Sequence, residues 1–314
     1  MSSGAPAPAR RGKSRTTGVL LMTYGAPRGA DDLPAYLSRV RGGKTPTEEL
    51  VREMARRYDL IGGSPLVRIT TAQAEALERE LNTEGSWRVA AGMRYSEPGI
   101  GQAVTALRSA GAERVIGIVM SPQWSDALMG GYARALEEAA GGLPALTVRG
   151  WHREPAFIDA LAAAVREKRE ALGASGPDAH FVLTAHSLPR RVFDAEPAYV
   201  AELRETADLA AARAGLEGWT WAYQSAGHTQ EEWLRPDLTE VFPEIARGGH
   251  RAVLVVPVQF LADHLEVLYD LDVAAAEQAK AAGLDYHRVE MPNTRPPFIR
   301  ALAGIARREA LAPA

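Results

Sequence analysis

The chain has 314 residues, of which 46% are hydrophobic and 24% charged, a composition typical of a globular protein large enough for two domains. Its net charge of -3 excludes a general attraction to nucleic acid or to anionic membranes. It contains no cysteine, so disulfides, thiolate zinc sites, cysteine nucleophiles and cysteine-bound iron–sulfur clusters are excluded, and any metal must bind to nitrogen and oxygen ligands.

Residues 1–17 are rich in Ser, Gly, Ala and Pro and lack the apolar core of a signal peptide. We therefore expect a disordered tail there. The longest nearly apolar run, 252–262, is too short to span a bilayer and is typical of a buried strand. We expect a cytoplasmic protein without stable membrane insertion.

Short apolar runs alternate with longer segments rich in Ala, Leu, Glu and Arg. The runs predict strands at 18–24, 87–93, 114–120, 145–149, 179–185, 220–224, 252–258 and 285–290. The longer segments predict helices at 70–81, 101–110, 132–140, 155–172, 198–214, 266–282 and 297–311. Strands with so little polar alternation are typical of parallel sheets covered by helices on both faces.

The pattern therefore predicts an α/β fold of two similar doubly wound domains, each with a four-stranded parallel sheet flanked by helices. We place the first domain at 18–152 and the second at 153–296. The last segment, 297–314, is predicted to be a helix that packs back on the first domain.

Polar side chains are concentrated directly after the predicted strands, where open parallel sheets bind their ligands. These residues are Tyr24, Arg94, Tyr95, Ser121, His186, Gln224 and Gln259. His186 ends an apolar strand just before Pro189. An isolated histidine there is more often structural, but it also fits a neutral ligand or base that faces a cleft.

The segment 263–272 follows the most apolar strand and carries several acids. If the helix begins near Asp263, then Asp263, Glu266 and Asp270 share one face. Acids at a helix start also stabilise the helix dipole, which is the simpler interpretation. One histidine and one glutamate across a cleft would form an N,O site for a labile divalent ion.

A basic and aromatic segment follows the first strand. Arg39, Arg41, Arg57 and Tyr58 lie in it, and a Gly-Gly-Ser turn at 62–64 comes just after. These residues could form an ordinary solvated helix face, or they could bind a large apolar ligand that carries carboxylates. No dinucleotide fingerprint, phosphate loop or Gly-x-Ser-x-Gly elbow occurs in the sequence.

Together these motifs resemble ferrochelatase from about residue 18 to residue 305. Three stretches match the family's most distinctive segments in order and spacing: Ala-His-Ser-Leu-Pro at 185–189, Tyr-Gln-Ser at 223–225 and Asp-His-Leu-Glu-Val-Leu-Tyr-Asp at 263–270. The resemblance implies two Rossmann-like, chelatase-type domains around a porphyrin cleft. It also implies a lyase that inserts Fe(II) into a porphyrin in haem biosynthesis.

The resemblance also assigns roles to residues. His186 and Glu266 correspond to the catalytic, iron-binding pair, and Tyr24 to a tyrosine axial to the product iron in the soluble Gram-positive-type enzymes. Asp270 is expected to relay protons or metal beyond Glu266. The residues expected to contact the porphyrin and its propionates are Tyr24, Arg41, Arg57, Tyr58, Ser64 and Tyr132. Which of His186 and Glu266 takes the pyrrole proton stays open.

In the branch of the family that this chain most resembles, the substrate is coproporphyrin III, which has four carboxylates, and the product is Fe-coproporphyrin III (coproheme). The basic segment 39–57 fits that charge. Two positions depart from the family: Tyr95 stands where relatives often have histidine, and Ala274 stands where some have another acid. Each position therefore lacks a metal ligand that relatives provide.

We expect no permanently bound cofactor and no iron–sulfur cluster; Fe(II) and the porphyrin are substrates. We expect a monomer with no nucleic-acid partner, which makes transient contact with the next enzyme of the haem pathway. Three alternatives stay open: a protoporphyrin IX ferrochelatase, a sirohydrochlorin-type cobalt or iron chelatase, and a non-catalytic two-lobed binding protein for haem or iron chelates.

Overall fold

The computed structural model describes residues 15–173, 178–227 and 230–311. In these ranges the strands form two four-stranded parallel sheets. The first sheet contains β1 (Thr17–Thr23), β2 (Trp87–Met93), β3 (Arg114–Val119) and β4 (Ala145–Val148). The second contains β5 (Ala179–His186), β6 (Thr220–Gln224), β7 (Ala252–Pro257) and β8 (Asp285–Arg288). The orders, β2-β1-β3-β4 and β6-β5-β7-β8, follow one scheme, and the predicted fold class is confirmed.

Helices cover both faces of each sheet. In the first half they are α1 (Leu33–Val40), α2 (Glu48–Leu60), α3 (Leu66–Leu81), α4 (Ile100–Ser109) and α5 (Asp126–Ala140), with a short 3₁₀ turn at Ala30–Asp32. The helices after the first half are α6 (Pro155–Ala171), α7 (Arg190–Ala195), α8 (Pro197–Ala214), α9 (Leu238–Arg247), a π-helix (Glu266–Ala275), α10 (Ala276–Ala281) and α11 (Pro296–Leu311). In the part of the chain that the structure describes, no helix is long and apolar enough to cross a bilayer.

The central strands are buried on both faces, which explains their continuous apolar sequences. All seven residues of β1 and all six of β7 are buried. One hydrophobic cluster includes Leu20 of β1, Leu183 of β5 and Val256 of β7, so the two halves share packed side chains. This packing holds the carboxyl ends of the two sheets next to each other.

The last helix, α11, packs against the first half. Phe298 and Leu302 are fully buried in a cluster with Val19 of β1 and Leu77 of α3. The sheets occupy residues 17–148 and 179–288, and the exact domain boundaries stay a prediction. Residues 1–14 of the predicted tail lie outside the described residues, and β1 already begins at Thr17.

Several helices differ from the sequence prediction, including α3, which begins at Leu66 instead of 70. Helix α5 begins at Asp126 instead of 132 because Ser125 caps it, accepting a hydrogen bond from the backbone N–H of Leu128 at 3.1 Å. The segment 266–282 is not one α-helix: a π-helix occupies Glu266–Ala275, and only Ala276–Ala281 is α-helical. Helices α1 and α2 were not predicted as helices.

Candidate active site

The carboxyl ends of the two sheets enclose a cavity of about 500 Å³. Its walls come from the segments after β1 and β3, from α1 and α2, from the end of β5 and from the segment after β7. Apolar side chains such as Leu37, Met54 and Leu188 form much of the lining. The polar groups include Tyr24, Tyr58, Ser64, Arg94, Tyr132, His186, Gln259, His264 and Glu266. An apolar cavity with a few convergent polar groups is the usual form of a small-molecule site.

His186 is the last residue of β5, and two hydrogen bonds fix it. Its backbone N–H donates to Oε1 of Gln259 at 2.9 Å, and its Nδ1 contacts the carbonyl oxygen of Ser187. Because a carbonyl oxygen can only accept, Nδ1 carries the proton. In the neutral imidazole, Nε2 therefore keeps a lone pair that can bind a metal or accept a proton.

Glu266 is the first residue of the π-helix, and its carboxylate lies between two imidazoles. Oε1 is 3.7 Å from Nε2 of His186, and Oε2 is 3.6 Å from Nε2 of His264. Burial raises the pKa of Glu266, but the two histidines outweigh it and lower the pKa to about 2. The structure thus brings His186 and Glu266 together, with the glutamate as a stable anion.

His264 was quoted in the sequence motif but given no role there. Its Nδ1 donates to the carbonyl oxygen of Ala262 at 2.9 Å, and its ring meets Phe260 edge-on at 4.6 Å. Burial lowers the pKa of His264, and the hydrogen bond to Glu266 more than compensates, so the net shift is upward. The sequence signal for this contact is the position of His264 two residues before Glu266.

Asp270 lies one π-helical turn after Glu266, and its side chain is 16% exposed. Nη1 of Arg57 lies 3.6 Å from its Oδ1, which joins α2 of the first half to the π-helix of the second. Burial and the neighbouring Glu266 carboxylate raise the pKa of Asp270, although Ser225, Arg57 and His186 oppose them. Asp270 therefore takes up a proton more readily than an ordinary aspartate.

The expectation that Asp263 shares a face with Glu266 and Asp270 is wrong. Asp263 precedes the helix, and it accepts a hydrogen bond from the side chain of Asn293 at 2.7 Å. Asp272 is also engaged elsewhere, because Arg288 binds both its carboxylate oxygens at 2.6 and 2.8 Å. The row of acids near the cavity therefore consists of Glu266 and Asp270.

Tyr24 follows β1 and is 42% exposed. Its ring packs edge-on against Tyr95 at 4.6 Å, and the guanidinium of Arg94 lies 5.1 Å from the centre of the Tyr95 ring. Burial of the phenol, followed by Tyr95 and Glu266, raises the pKa of Tyr24. The side chain is therefore a neutral phenol at neutral pH, on the wall that the first half provides.

The structure places the predicted porphyrin-contacting residues unevenly. Tyr58, Ser64 and Tyr132 line the cavity together with Tyr24. Arg57 lies beside it, with its guanidinium 4.8 Å from the centre of the Tyr269 ring. Arg41 is exposed at the C-terminal end of α1 and does not line the cavity. The roles of all six residues stay predictions.

No group of three or more His, Asp and Glu side chains in the described ranges has an arrangement that could hold a metal ion. His186 and Glu266 therefore offer an incoming ion one nitrogen and one carboxylate.

The family model described as ferrochelatase matches residues 16–310. The chain belongs to the ferrochelatase family. A coproporphyrin III ferrochelatase from Geobacillus sp. (strain WCH70) is 36% identical over 297 residues, which cover 92% of this chain and 96% of the relative. A ferrochelatase from Deinococcus radiodurans is 38% identical over 302 residues, which cover 93% and 96%.

Solved structures confirm the chelatase-type fold. The structure of SirB from Bacillus subtilis with Fe3+ has a TM-score of 0.58 and covers 95% of this chain and 96% of that one. At 12% identity this likeness concerns the fold alone. The family match confirms the predicted enzyme class, a lyase of the ferrochelatase family.

Proposed function

We propose that this enzyme inserts Fe(II) into coproporphyrin III, releasing Fe-coproporphyrin III (coproheme) and the two pyrrole protons. The observation that supports the chemistry best is the pair His186 and Glu266, 3.7 Å apart on the wall of a cavity between the two halves. Relatives named coproporphyrin III ferrochelatases, 36% identical to the chain, support the choice of substrate.

His186 is the better candidate for the proton acceptor. Nδ1 of His186 donates to the Ser187 carbonyl, so in the neutral imidazole Nε2 keeps a lone pair, and it lies 3.7 Å from the Glu266 carboxylate. When His186 takes a pyrrole proton, Glu266 stabilises the imidazolium that forms. The same carboxylate balances the charge of Fe(II) as the ion loses water on its way to the ring nitrogens.

Asp270 gives the protons a route out of the site. Its pKa is raised, so it can receive a proton from the Glu266 side and release it toward solvent. Arg57, at 3.6 Å, limits how far that pKa rises and so keeps the carboxyl able to give the proton up. A group that exchanges protons readily fits a relay better than a permanently charged one.

The first half would hold the pigment. Tyr24 is proposed as the axial phenol ligand of the product iron, on the wall that faces the second-half pair. Tyr58, Ser64 and Tyr132 would contact the ring and its carboxylate arms inside the cavity. Arg41 and Arg57 would bind carboxylate arms at the edge, where a four-carboxylate substrate presents more charge than a two-carboxylate one.

Iron insertion measured anaerobically with coproporphyrin III and protoporphyrin IX side by side tests the proposal. We expect faster turnover with coproporphyrin III and Fe(II). A preference for protoporphyrin IX would overturn the choice of substrate but not the enzyme class. Sirohydrochlorin with Co(II) or Fe(II) serves as a third arm, and turnover only there would overturn the porphyrin assignment as well.

A further inference from the structure

A chain of hydrogen bonds runs behind His186 and reaches from one half of the molecule to the other. Gln259, two residues after β7, accepts from the backbone N–H of His186 at 2.9 Å and donates through Nε2 to the hydroxyl of Tyr199 at 2.8 Å. Tyr199 belongs to α8 and also hydrogen-bonds Ser121, two residues after β3. The hydroxyl of Ser121 donates to the carbonyl oxygen of Gln123 at 3.2 Å.

The hydrogen bonds of Gln259 have a single possible direction. The backbone N–H of His186 can only donate, so the amide oxygen of Gln259 accepts and its nitrogen donates to Tyr199. The Tyr199 oxygen that accepts this bond also has the Ser121 side chain as a hydrogen-bond neighbour. Tyr199 is only 2% exposed, so water cannot replace these bonds without entering a packed region.

Gln259 also replaces a missing backbone partner. The pairing of β5 with β7 ends at Thr184 and Pro257, so His186 extends beyond the ladder on that side. The Gln259 side chain supplies the acceptor that the next ladder residue would otherwise give. Without it, the His186 N–H would lose its partner and the strand end that carries the imidazole would loosen.

We infer that Gln259 is a positioning residue for the reaction, which sets the His186 imidazole against Glu266 and connects it through Tyr199 to the first half. The inference rests on the proposed function, since it concerns the rate of iron insertion. Gln259 would not take part in the chemistry itself; it would keep Nε2 of His186 at its working distance from the carboxylate. Loss of such positioning lowers kcat while substrate binding stays nearly normal.

The test compares Gln259→Leu with Gln123→Leu as a matched control. The Gln123 side chain is a buried amide between the halves and donates to Thr206 at 2.8 Å, but it does not touch His186. We expect Gln259→Leu to lower kcat about tenfold, with the KM for coproporphyrin III changed by less than about twofold. Tyr199→Phe, which keeps the ring and removes the hydroxyl, should lower kcat by a smaller factor.

Hydrogen exchange of the His186 amide gives a second readout that does not depend on turnover. We expect faster exchange in Gln259→Leu and unchanged exchange in Gln123→Leu. Unchanged exchange in Gln259→Leu, or a kcat no lower than that of Gln123→Leu, would overturn the inference. If the wild-type enzyme does not insert iron at all, the proposed function fails, and the exchange result still decides whether Gln259 holds His186.

Discussion

The two halves of the molecule repeat one strand order but carry different chemistry at their strand ends. In the first half, Tyr24, Arg94 and Tyr95 follow β1 and β2 and form aromatic and cation–π contacts. In the second half, His186 ends β5, and Glu266 begins the helix that follows β7. One strand order thus supports two different surfaces: aromatic and guanidinium side chains in the first half, and an imidazole beside a carboxylate in the second.

The largest effect is expected from removing the imidazole of His186, the proposed base in the second half. We expect His186→Ala to lower anaerobic Fe(II) insertion about 10²–10⁴-fold, because a positioned general base contributes on that order. Porphyrin binding, followed by absorbance, should change little, since the proposed contacts to the ring come from the first half. His180→Ala is the control, because His180 lies at the opposite end of the same strand. Turnover close to wild type in His186→Ala would remove this residue from the mechanism.

A smaller effect is expected at the relay position. Asp270→Asn should lower kcat about tenfold, because the side chain keeps its shape but cannot carry a proton. The folded-state pKa of Asp270 is raised, so its ionisation is disfavoured in the folded protein, and the associated stability is lost as pH rises through that pKa.

Asp270→Asn should therefore be at least as stable as the wild type at pH 7, with the gain offset in part by the lost pairing with Arg57. Thermal melts at pH 7 and below the ordinary aspartate pKa of about 3.9 check the sign: any gain should be larger at pH 7. A variant with lower kcat and a clearly lower Tm at pH 7 would instead indicate a structural role.

The smallest effect is expected in the first half. Tyr24→Phe should keep kcat within about threefold, because Tyr24 is not the proposed base and the low end of a neutral hydrogen bond, about 0.5 kcal/mol, corresponds to roughly a twofold change. The absorption spectrum of the bound iron product should nevertheless change, since the proposed axial phenol is gone. An unchanged product spectrum would show that Tyr24 does not bind the iron. A loss of kcat as large as that of His186→Ala would contradict the assignment of the base to the second half alone.

The strands and their polar ends could be predicted because their cause is local. A strand such as β7 is apolar throughout since both its faces are buried, and Gln259 just after it lines the cavity. The pairing of His186 with Glu266 depended on the family resemblance. No periodicity joins two residues so far apart in sequence.

Other features could not be predicted because their causes are tertiary. The π-helix has a sequence that also fits an α-helix, and packing decides between them. The prediction that Asp263 shares a face with Glu266 is wrong because Asp263 accepts a hydrogen bond from Asn293, thirty residues away. The contact between Gln259 and Tyr199 joins residues sixty positions apart, and neither side chain belongs to a recognisable motif.

The π-helix makes the spacing of the site sensitive to chain length. Glu266 faces the imidazoles at its start, while Asp272 is clamped to β8 through Arg288 near its middle. Inserting or deleting one residue between these two anchors would rotate one of them by roughly a quarter of a turn relative to the other. Surface loops of this fold can vary in length. The segment between Glu266 and Asp272 cannot vary in this way, because both of its ends are fixed by side-chain contacts.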